Sequence, residues 1–532
     1  MSTTSPAPSA YALATPHALA TAAGEEVIRD GGNAVDAALA AAIALTVVYP
    51  HQCAVGGDLI ALVARPGQDA IAVNGSGAAP LAVDADALSR IGQMPVTGPL
   101  SVTVPGVVAG WATLSESAGR LPFGRLFAPA IAYAHEGVPT APGVAHALAL
   151  EQSLLAADEG MHGVFFGAGR PLTAGQTLLQ PALARTLTAI VDGGPAALYQ
   201  GEVGASIVNR LKSLGSPISP TDLAQHRTET GTPIGLSFHG EEYLTAPPNS
   251  QGMHLLQILA AIEHIAPTLD LLGADAAVLA RVFQQAARDR DTFLADPRHT
   301  PVPVDELLSD GRIARIAEAA IARRTLLDPP SPVAAAQASR PSGDTVAVVA
   351  MDAEGNAVSL IQSLFHSFGS GILDPATGVI LHNRGSFFSL LPGAPNRLHG
   401  GRRPAHTLMP VLTRRDGAIT GAHGTMGGKA QPQIHAHLAL RLRNGDSPAA
   451  ALHRPRWVVG GMEVDAAPNT AFAEPNVPAT ALASLRDADL RLHVGETLDE
   501  QVGHGQLVRV DRDGTLHAAA DPRSDGTAIS HP

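Results

Sequence analysis

The sequence predicts an α/β protein in which β-sheets lie between layers of helices. Two patterns predict this class: strands that come in neighbouring pairs, and apolar helices on either side of those pairs. The composition agrees, because 45% of the 532 residues are hydrophobic and supply a large core. This length suits up to three domains, although α/β layers also form long single domains. We find no internal repeat.

The predicted elements have apolar patterns with turn or cap residues at their ends. In chain order they are a helix at 18–30 stopped by Gly31-Gly32, a helix at 34–46 capped by Asn33, strands at 58–67 and 69–77, mostly helix at 107–240, a strand, Pro-Pro turn and helix within 240–265, helix at 273–325, a linker at 329–343, strands at 346–349 and 357–362, and a helix near 431–444.

Charge and composition exclude several classes of function. The net charge is −13 and only 16% of residues are charged, which argues against binding of nucleic acid or a membrane surface. Cys53 is the only cysteine, so an intrachain disulfide is excluded. The first 21 residues lack a secretory pattern, and the longest apolar run is too short to span a membrane. We therefore expect a cytoplasmic protein with no membrane partner.

The linker runs directly into a core hairpin, and Thr345 stands at the junction. If the chain broke between Asp344 and Thr345, the threonine hydroxyl would lie beside a new α-amine. The reference pKa of an α-amine is about 7.7–8.0, so it could act as the general base for the hydroxyl. The alternative is a threonine that merely begins a strand after a loop.

An ordered set of segments resembles the γ-glutamyltranspeptidase family of N-terminal-nucleophile hydrolases. This resemblance favours the first hypothesis for Thr345, a chain that breaks ahead of it. The matching segments are "GGNAVDAALAAAIALTVVYPHQCAVGGDL", "TVPGVVAGW", "TDLAQH", "APPNSQGMHLLQIL", "FGSGI", "RRPAHTLMP", "GTMGG" and "ADPRSDG". The resemblance implies an αββα sandwich and a precursor that cleaves itself ahead of Thr345. It implies a large fragment 1–344, ending in the linker 329–344, and a small fragment 345–532, intertwined as one domain.

The resemblance also assigns roles to individual positions. Ser363 stands where the family has a threonine whose hydroxyl supports the nucleophile's amine. Gly427 and Gly428 match the pair whose backbone N–H groups form the oxyanion hole, where glycine allows close approach to the reacting carbonyl. A strand-end serine and a plain turn are the alternatives for these positions.

The substrate residues depart from the γ-glutamyl pattern. Ser76 stands at the place of the arginine that binds the α-carboxylate, and Phe365 replaces an amide residue. Arg384 stands where a glutamine is typical, and Phe387 where an aspartate should bind the α-ammonium. The site has thus lost an anion and gained an arginine, which suits a carboxylate. A structural ion pair is the alternative role for Arg384.

Two histidines are further candidates near this site. The family's paired serines become His406 and Thr407, which we place among the substrate-binding residues. His406 and His366 could instead be core or surface histidines, so the roles of both stay open. The altered set is similar to a branch of the family that hydrolyses oxamate, and to members of antibiotic pathways that remove an oxalyl group from carbon.

We expect neither a metal nor a cofactor. His435 and His437 are two positions apart, which directs their rings to different sides of a helix, and no third ligand is evident. The sequence also lacks a phosphate-binding glycine motif between a strand and a helix.

Three hypotheses follow. The first is an autoprocessed hydrolase acting on a small oxamate-like amide or an oxalyl group bound through nitrogen or carbon. The second is a true γ-glutamyltransferase or glutathione hydrolase, and the third is an unprocessed, inactive scaffold or binding protein. The leaving group, the acyl acceptor and the assembly of the two fragments, as one heterodimer or a dimer of heterodimers, stay open.

Overall fold

The computed structural model describes residues 10–90, 92–266, 269–323, 342–460 and 469–532. Its strands, in chain order, are β1 (Tyr11–Thr15), β2 (Asp58–Ala64), β3 (Ile71–Asn74), β4 (Val138–Pro139), β5 (Phe166–Gly167), β6 (Arg170–Pro171), β7 (Thr177–Leu178), β8 (Glu229–Gly231), β9 (Ile234–Phe238), β10 (Glu241–Thr245), β11 (Ser342–Asp352), β12 (Ala357–His366), β13 (Ile372–Asp374), β14 (Val379–Leu381), β15 (Val411–Arg415), β16 (Ala418–Met426), β17 (Trp457–Val459), β18 (Thr470–Ala473), β19 (Arg491–Val494), β20 (His504–Val510), β21 (Leu516–Ala520) and β22 (Thr527–His531).

The α-helices, in chain order, are α1 (Ala18–Arg29), α2 (Ala34–Val48), α3 (Ala85–Ser89), α4 (Val107–Ala118), α5 (Ala128–Glu136), α6 (Pro142–Leu150), α7 (Gln152–Ala156), α8 (Glu159–Phe165), α9 (Pro181–Gly193), α10 (Ala196–Tyr199), α11 (Glu202–Ser213), α12 (Pro220–Ala224), α13 (Gly252–Ile265), α14 (Ala276–Phe293), α15 (Val304–Leu307), α16 (Asp310–Ile321), α17 (Gln431–Arg443), α18 (Pro448–His453) and α19 (Ala479–Arg486).

Two large sheets pack face to face. One has seven strands in the order β22-β1-β11-β12-β2-β3-β8, and the other has six in the order β21-β20-β16-β15-β10-β9. Apolar side chains from both inner faces form the core between them, including Ile60, Val349 and Ile361 from the first sheet and Leu412 and Val508 from the second. The alternation of buried and outward residues along each strand produces this double layer.

Helices cover the outer faces of both sheets. Helix α2 is buried along its whole length against the seven-stranded sheet, and Asn33 caps it by accepting from the backbone N–H groups of Val35 and Asp36. Helices α13, α14, α16 and α17 cover the other side. The arrangement is an αββα sandwich, as the sequence predicts.

Segments from before and after Thr345 both contribute strands to the seven-stranded sheet. The hairpin β11–β12 lies between β1 and β2, so the central strands come from the C-terminal half and their neighbours from the N-terminal half. Part of the predicted linker, residues 329–341, lies outside the described residues, whereas Ser342–Asp352 is already strand β11.

The structure adds elements that the sequence prediction did not contain. Residues 107–240 are mostly helical, as predicted, but β8 and β9 at the end of this range add short edge strands to the two large sheets. Edge strands have one unpaired side and a weak apolar pattern, which hides them in a sequence. The short helices α18 and α19 near the C-terminal end were not predicted either.

Candidate active site

Thr345 lies at an irregularity in the pairing of β11 with β12. Asp344 pairs with Phe365 and Val346 pairs with Gln362, so one residue on β11 faces two on β12, Ser363 among them. Such a bulge redirects a side chain without ending the sheet. Asp344 and Thr345 are consecutive residues of strand β11.

The Ser363 hydroxyl joins the two residues at the predicted cleavage point. Its Oγ lies 2.6 Å from the carbonyl oxygen of Asp344, 3.0 Å from Thr345 Oγ1 and 2.8 Å from the backbone N of Phe365. A carbonyl only accepts and an N–H only donates, so the Ser363 proton goes to Asp344. The Thr345 hydroxyl must therefore donate to Ser363 Oγ.

Gly427 and Gly428 follow the last residue of β16. Gly427 has a φ of +150° and Gly428 a φ of +50°, and a Cβ at Gly427 would lie 2.4 Å from Ile434 Cδ1. The backbone angle at Gly427 favours glycine, whereas the close contact is with the movable end of the Ile434 side chain. The Gln251 amide fixes the turn by donating to the carbonyl of Gly428 over 2.8 Å.

The stacking of the two sheets places this turn at the Thr345 end of the hairpin. Ser359 Oγ donates to the carbonyl of His423, and Gly424 lies against Ala347 and Ile361. The part of β12 from Ser359 to Ser363 therefore runs in the same direction as the part of β16 from His423 toward Gly427. The turn at Gly428–Ala430 also packs against β11. The predicted nucleophile and the predicted oxyanion pair thus share one end of the sandwich.

Arg384 is buried, and one edge of its guanidinium has no hydrogen-bond partner among the described residues. Its Nη1 donates to Thr407 Oγ1 over 3.1 Å, and its Cζ lies 3.8 Å from the centre of the Phe365 ring. Its Nε and Nη2 have no hydrogen-bond partner among the described residues, and no described carboxylate lies within ion-pair distance. Burial lowers the Arg384 pKa to about 9, with Asp58 acting in the opposite direction. Nothing in the described part of the chain supports the alternative role as an ion pair.

Aromatic rings complete the neighbourhood of Arg384. Phe365 has a φ of +82°, which is rare for a residue with a side chain, and its ring stacks on His366 at 4.4 Å. The Phe387 ring centre lies 5.5 Å from that of Phe365. Asn383 holds His366 in place, with its amide nitrogen 2.8 Å from Nδ1 of the ring. The structure therefore groups both predicted phenylalanines with the arginine.

Asp58 is a buried carboxylate that the sequence reasoning did not single out. It lies at the start of β2 and pairs directly with Ser363 across the strands. Its Oδ2 lies 3.2 Å from Nε2 of His406 and 3.3 Å from Nδ1 of His382. Burial opposes ionisation of Asp58, but the two histidines more than offset it and hold its pKa well below the usual range. In the sequence, the only feature that marks Asp58 is its position directly after Gly56-Gly57.

Two hydrogen bonds hold the His406 ring, one to a side chain and one to the backbone. Its Nε2 donates to Asp58, and its Nδ1 accepts from the backbone N–H of Leu408 over 3.3 Å. Burial, reinforced by the charge of Arg384, lowers the His406 pKa to about 3, so the ring is neutral. Because both ring nitrogens are occupied, His406 positions the segment that carries Thr407. Ser76 is also engaged, since its hydroxyl donates to Asn74.

No metal or membrane feature accompanies the site in the part of the chain that the structure describes. Its His, Cys, Asp and Glu residues form no cluster of three or more with metal-binding geometry. Among the same residues, no helix combines the length and apolar character needed to cross a lipid bilayer.

Comparisons with known proteins agree with this geometry. The family model for gamma-glutamyltranspeptidase matches residues 20–531. The glutathione hydrolase-like YwrD proenzyme of Bacillus subtilis is 34% identical over 97% of this chain and 98% of its own. The oxamate amidohydrolase proenzyme of Klebsiella pneumoniae is 34% identical over 97% of both chains.

A solved structure shows the same fold. Cephalosporin acylase from Bacillus halodurans superposes with a TM-score of 0.87 at 29% identity, covering 99% of this chain and 98% of the acylase. The predicted family and the αββα fold are both confirmed. The relatives are named for different activities. The substrate of this chain therefore has to be inferred from the residues of its site.

Proposed function

Because the chain belongs to the gamma-glutamyltranspeptidase family, we propose that it is a proenzyme that cleaves itself between Asp344 and Thr345. Thr345 then serves as an N-terminal nucleophile that transfers a small acidic acyl group to water. The contacts of Ser363 with Asp344 and Thr345 support the first step. The edge of Arg384 without a described hydrogen-bond partner supports the choice of substrate and is the observation that carries the proposal.

Self-cleavage begins with the hydroxyl of Thr345. Its oxygen attacks the carbonyl carbon of Asp344 while its proton passes to Ser363 Oγ, and the Ser363 proton passes to the Asp344 oxygen, following the hydrogen bonds already present. Collapse of this intermediate breaks the C–N bond and leaves Asp344 bound to Thr345 as an ester with a free amine. Water hydrolyses the ester and separates fragments 1–344 and 345–532.

The mature enzyme then uses the amine that cleavage has released. The α-amine takes the proton of its own hydroxyl, since its reference pKa of about 7.7–8.0 leaves part of it unprotonated near neutral pH. Thr345 attacks the substrate carbonyl, and the backbone N–H groups of Gly427 and Gly428 hold the oxyanion. The leaving amine takes up the proton, and water releases the acyl group from the threonine.

The charges of the site support an acidic acyl group without a free ammonium. The free Nε and Nη2 edge of Arg384 is suited to two parallel hydrogen bonds from a carboxylate. Ser76 and Phe387 provide no charged partners for a γ-glutamyl group, and Phe365 and Phe387 favour a flat acyl chain. An oxalyl group, as in oxamate, places a carboxylate directly beside the reacting carbonyl. An oxalyl group on carbon would be released by the same attack if the carbanion were stabilised.

The test compares oxamate with glutathione on cleaved, purified protein. We expect oxamate hydrolysis, followed as ammonia release, to exceed glutathione hydrolysis in kcat/KM. Arg384→Gln should raise the KM for oxamate about 10- to 100-fold, since hydrogen bonds to a charged group contribute about 1.5–3 kcal/mol. Arg384→Lys is the matched control for charge without the planar fork.

Two outcomes would overturn the proposal. Faster hydrolysis of glutathione than of any oxalyl amide would identify a γ-glutamyl enzyme whose substrate is held by other residues. A chain that stays intact and hydrolyses none of these compounds would identify a binding protein. In either case Arg384 would not have the role that this edge of its guanidinium suggests.

A further inference from the structure

A second cation lies beside the proposed oxyanion pair. Lys429 directly follows Gly428, and it is one of only two lysines in the chain, the other being Lys212. Its side chain is half-buried, and its Nζ lies 5.1 Å from the centre of the Phe387 ring. Within the described ranges, the ammonium has neither a hydrogen bond nor a carboxylate within ion-pair distance.

Arg384 and Lys429 stand at the two ends of a pair of aromatic rings. The contacts run from the Arg384 guanidinium to Phe365 over 3.8 Å, from Phe365 to Phe387 over 5.5 Å, and from Phe387 to the Lys429 ammonium over 5.1 Å. The two cations are therefore separated by no more than these three steps together. Cations above aromatic faces keep their charge available to a further partner on the open side.

The surroundings of Lys429 compensate its charge only in part. Burial and the charge of Arg290 disfavour its ammonium and lower its pKa, while Asp291 acts in the opposite direction. Asp291 accepts a hydrogen bond from Arg290 Nε over 3.0 Å, and Arg290 Nη1 donates to the carbonyl of Lys429. The one nearby carboxylate is thus engaged by another cation, and an added anion would be stabilised beside Lys429.

We infer that Lys429 binds a second carboxylate, carried by the leaving group of the substrate. This rests on the proposed function, in which Arg384 holds the carboxylate of the acyl group. Lys429 directly follows the glycine pair proposed to hold the oxyanion, whereas Arg384 lies at the far end of the two aromatic rings, so we assign the second carboxylate to the leaving group. The favoured substrate class is then an oxalyl group attached to an amino acid, with a carboxylate at each end.

Lysine NMR gives a readout that does not require turnover. Protein labelled with 13C at the lysine ε-carbon should show two resonances, which Lys212→Gln assigns. The probes are 2-oxoglutarate and 2-oxoglutaramate, which differ only in the distal carboxylate. We expect 2-oxoglutarate to shift the Lys429 resonance and leave Lys212 in place, while the monoamide shifts neither. Equal shifts of Lys429 with both probes, or none with either, would overturn the inference.

Kinetics test the same residue in the reaction. The quantity is the ratio of kcat/KM for N-oxalylglycine to that for N-oxalylglycinamide. We expect Lys429→Gln to lower this ratio about tenfold or more, and Lys429→Arg to restore most of it. A ratio unchanged in Lys429→Gln, with oxalyl amides still hydrolysed, would refute the second site alone. A Lys429 shift with 2-oxoglutarate in a protein that hydrolyses no oxalyl amide would refute the proposed function and support the second site.

Discussion

Ser363→Ala should leave the chain largely uncleaved. The substitution removes the hydroxyl that donates to the carbonyl of Asp344 and accepts the proton of Thr345. Attack on that carbonyl would then develop charge on an oxygen without its donor, and the Thr345 proton would lose its acceptor. We therefore expect slower cleavage in a chain that still folds.

The expected size of the effect follows from these contacts. Loss of one hydrogen-bond donor to a developing oxyanion costs about 10²–10³ in rate. The backbone N–H of Phe365 also loses its acceptor, Ser363 Oγ, which costs about 1–3 kcal/mol of folding stability when the group is buried. A loss of this size is small beside the total of about 5–15 kcal/mol that is usual for folded proteins.

The assay is a time course of cleavage in newly synthesised protein. Samples are quenched in denaturant, and the intact chain and both fragments are quantified by mass spectrometry. Ser363→Thr retains the hydroxyl and serves as the matched control. Cleavage of the Ala variant at the wild-type rate would refute the assignment of the Ser363 proton.

Three further predictions concern the framework of the site. Gly427→Ala should abolish most activity and lower the melting temperature, because alanine is strained at a φ of +150° and its Cβ would displace the end of the Ile434 side chain; unchanged kcat would contradict the proposed oxyanion turn. Asp58→Asn should cost about 1.5–3 kcal/mol in denaturant unfolding, since His406 and His382 lose a charged hydrogen-bond acceptor; a loss below about 1 kcal/mol would show that the cluster is not coupled. Stability should also fall as the pH drops from 6.5 toward 4, by about 1.4 kcal/mol per pH unit for each buried histidine with a lowered pKa, because the unfolded chain takes up protons that the folded chain refuses. The pKa is lowered to about 3 to 4 for His17, His51, His226, His254, His406, His435 and His504, and it is lowered well below the usual value for His423 and His437. Calorimetric scans from pH 7.5 to 5 measure the slope, and a flat profile would contradict their neutrality.

The sequence was a good guide wherever local patterns determine the structure. The alternation in β11 and β12, with a turn at Gly355, predicts the hairpin, which is longer at both ends than expected. Asn33 marks the start of α2 because its side chain caps free N–H groups. The family resemblance then assigned Thr345, at the start of this hairpin, as the nucleophile.

Contacts between distant segments could not be read in the same way. Asp58 and His406 are 348 residues apart, and only the stacking of the two sheets brings them together. Lys429 is adjacent to the glycine pair in the sequence, but its relation to Phe387 depends on how two loops meet. Periodicity and capping describe one element at a time, whereas these contacts depend on the packing of several.

The mass and N-terminal sequence of the purified protein test the central claim most directly. We predict two fragments, 1–344 and 345–532, with the second beginning at Thr345, and a single intact chain for Thr345→Ala. Thr345→Ser should still cleave, since it retains the hydroxyl. Hydrolysis of oxamate by a chain that stays intact would contradict the account. A new N-terminus at any residue other than Thr345 would contradict it as well.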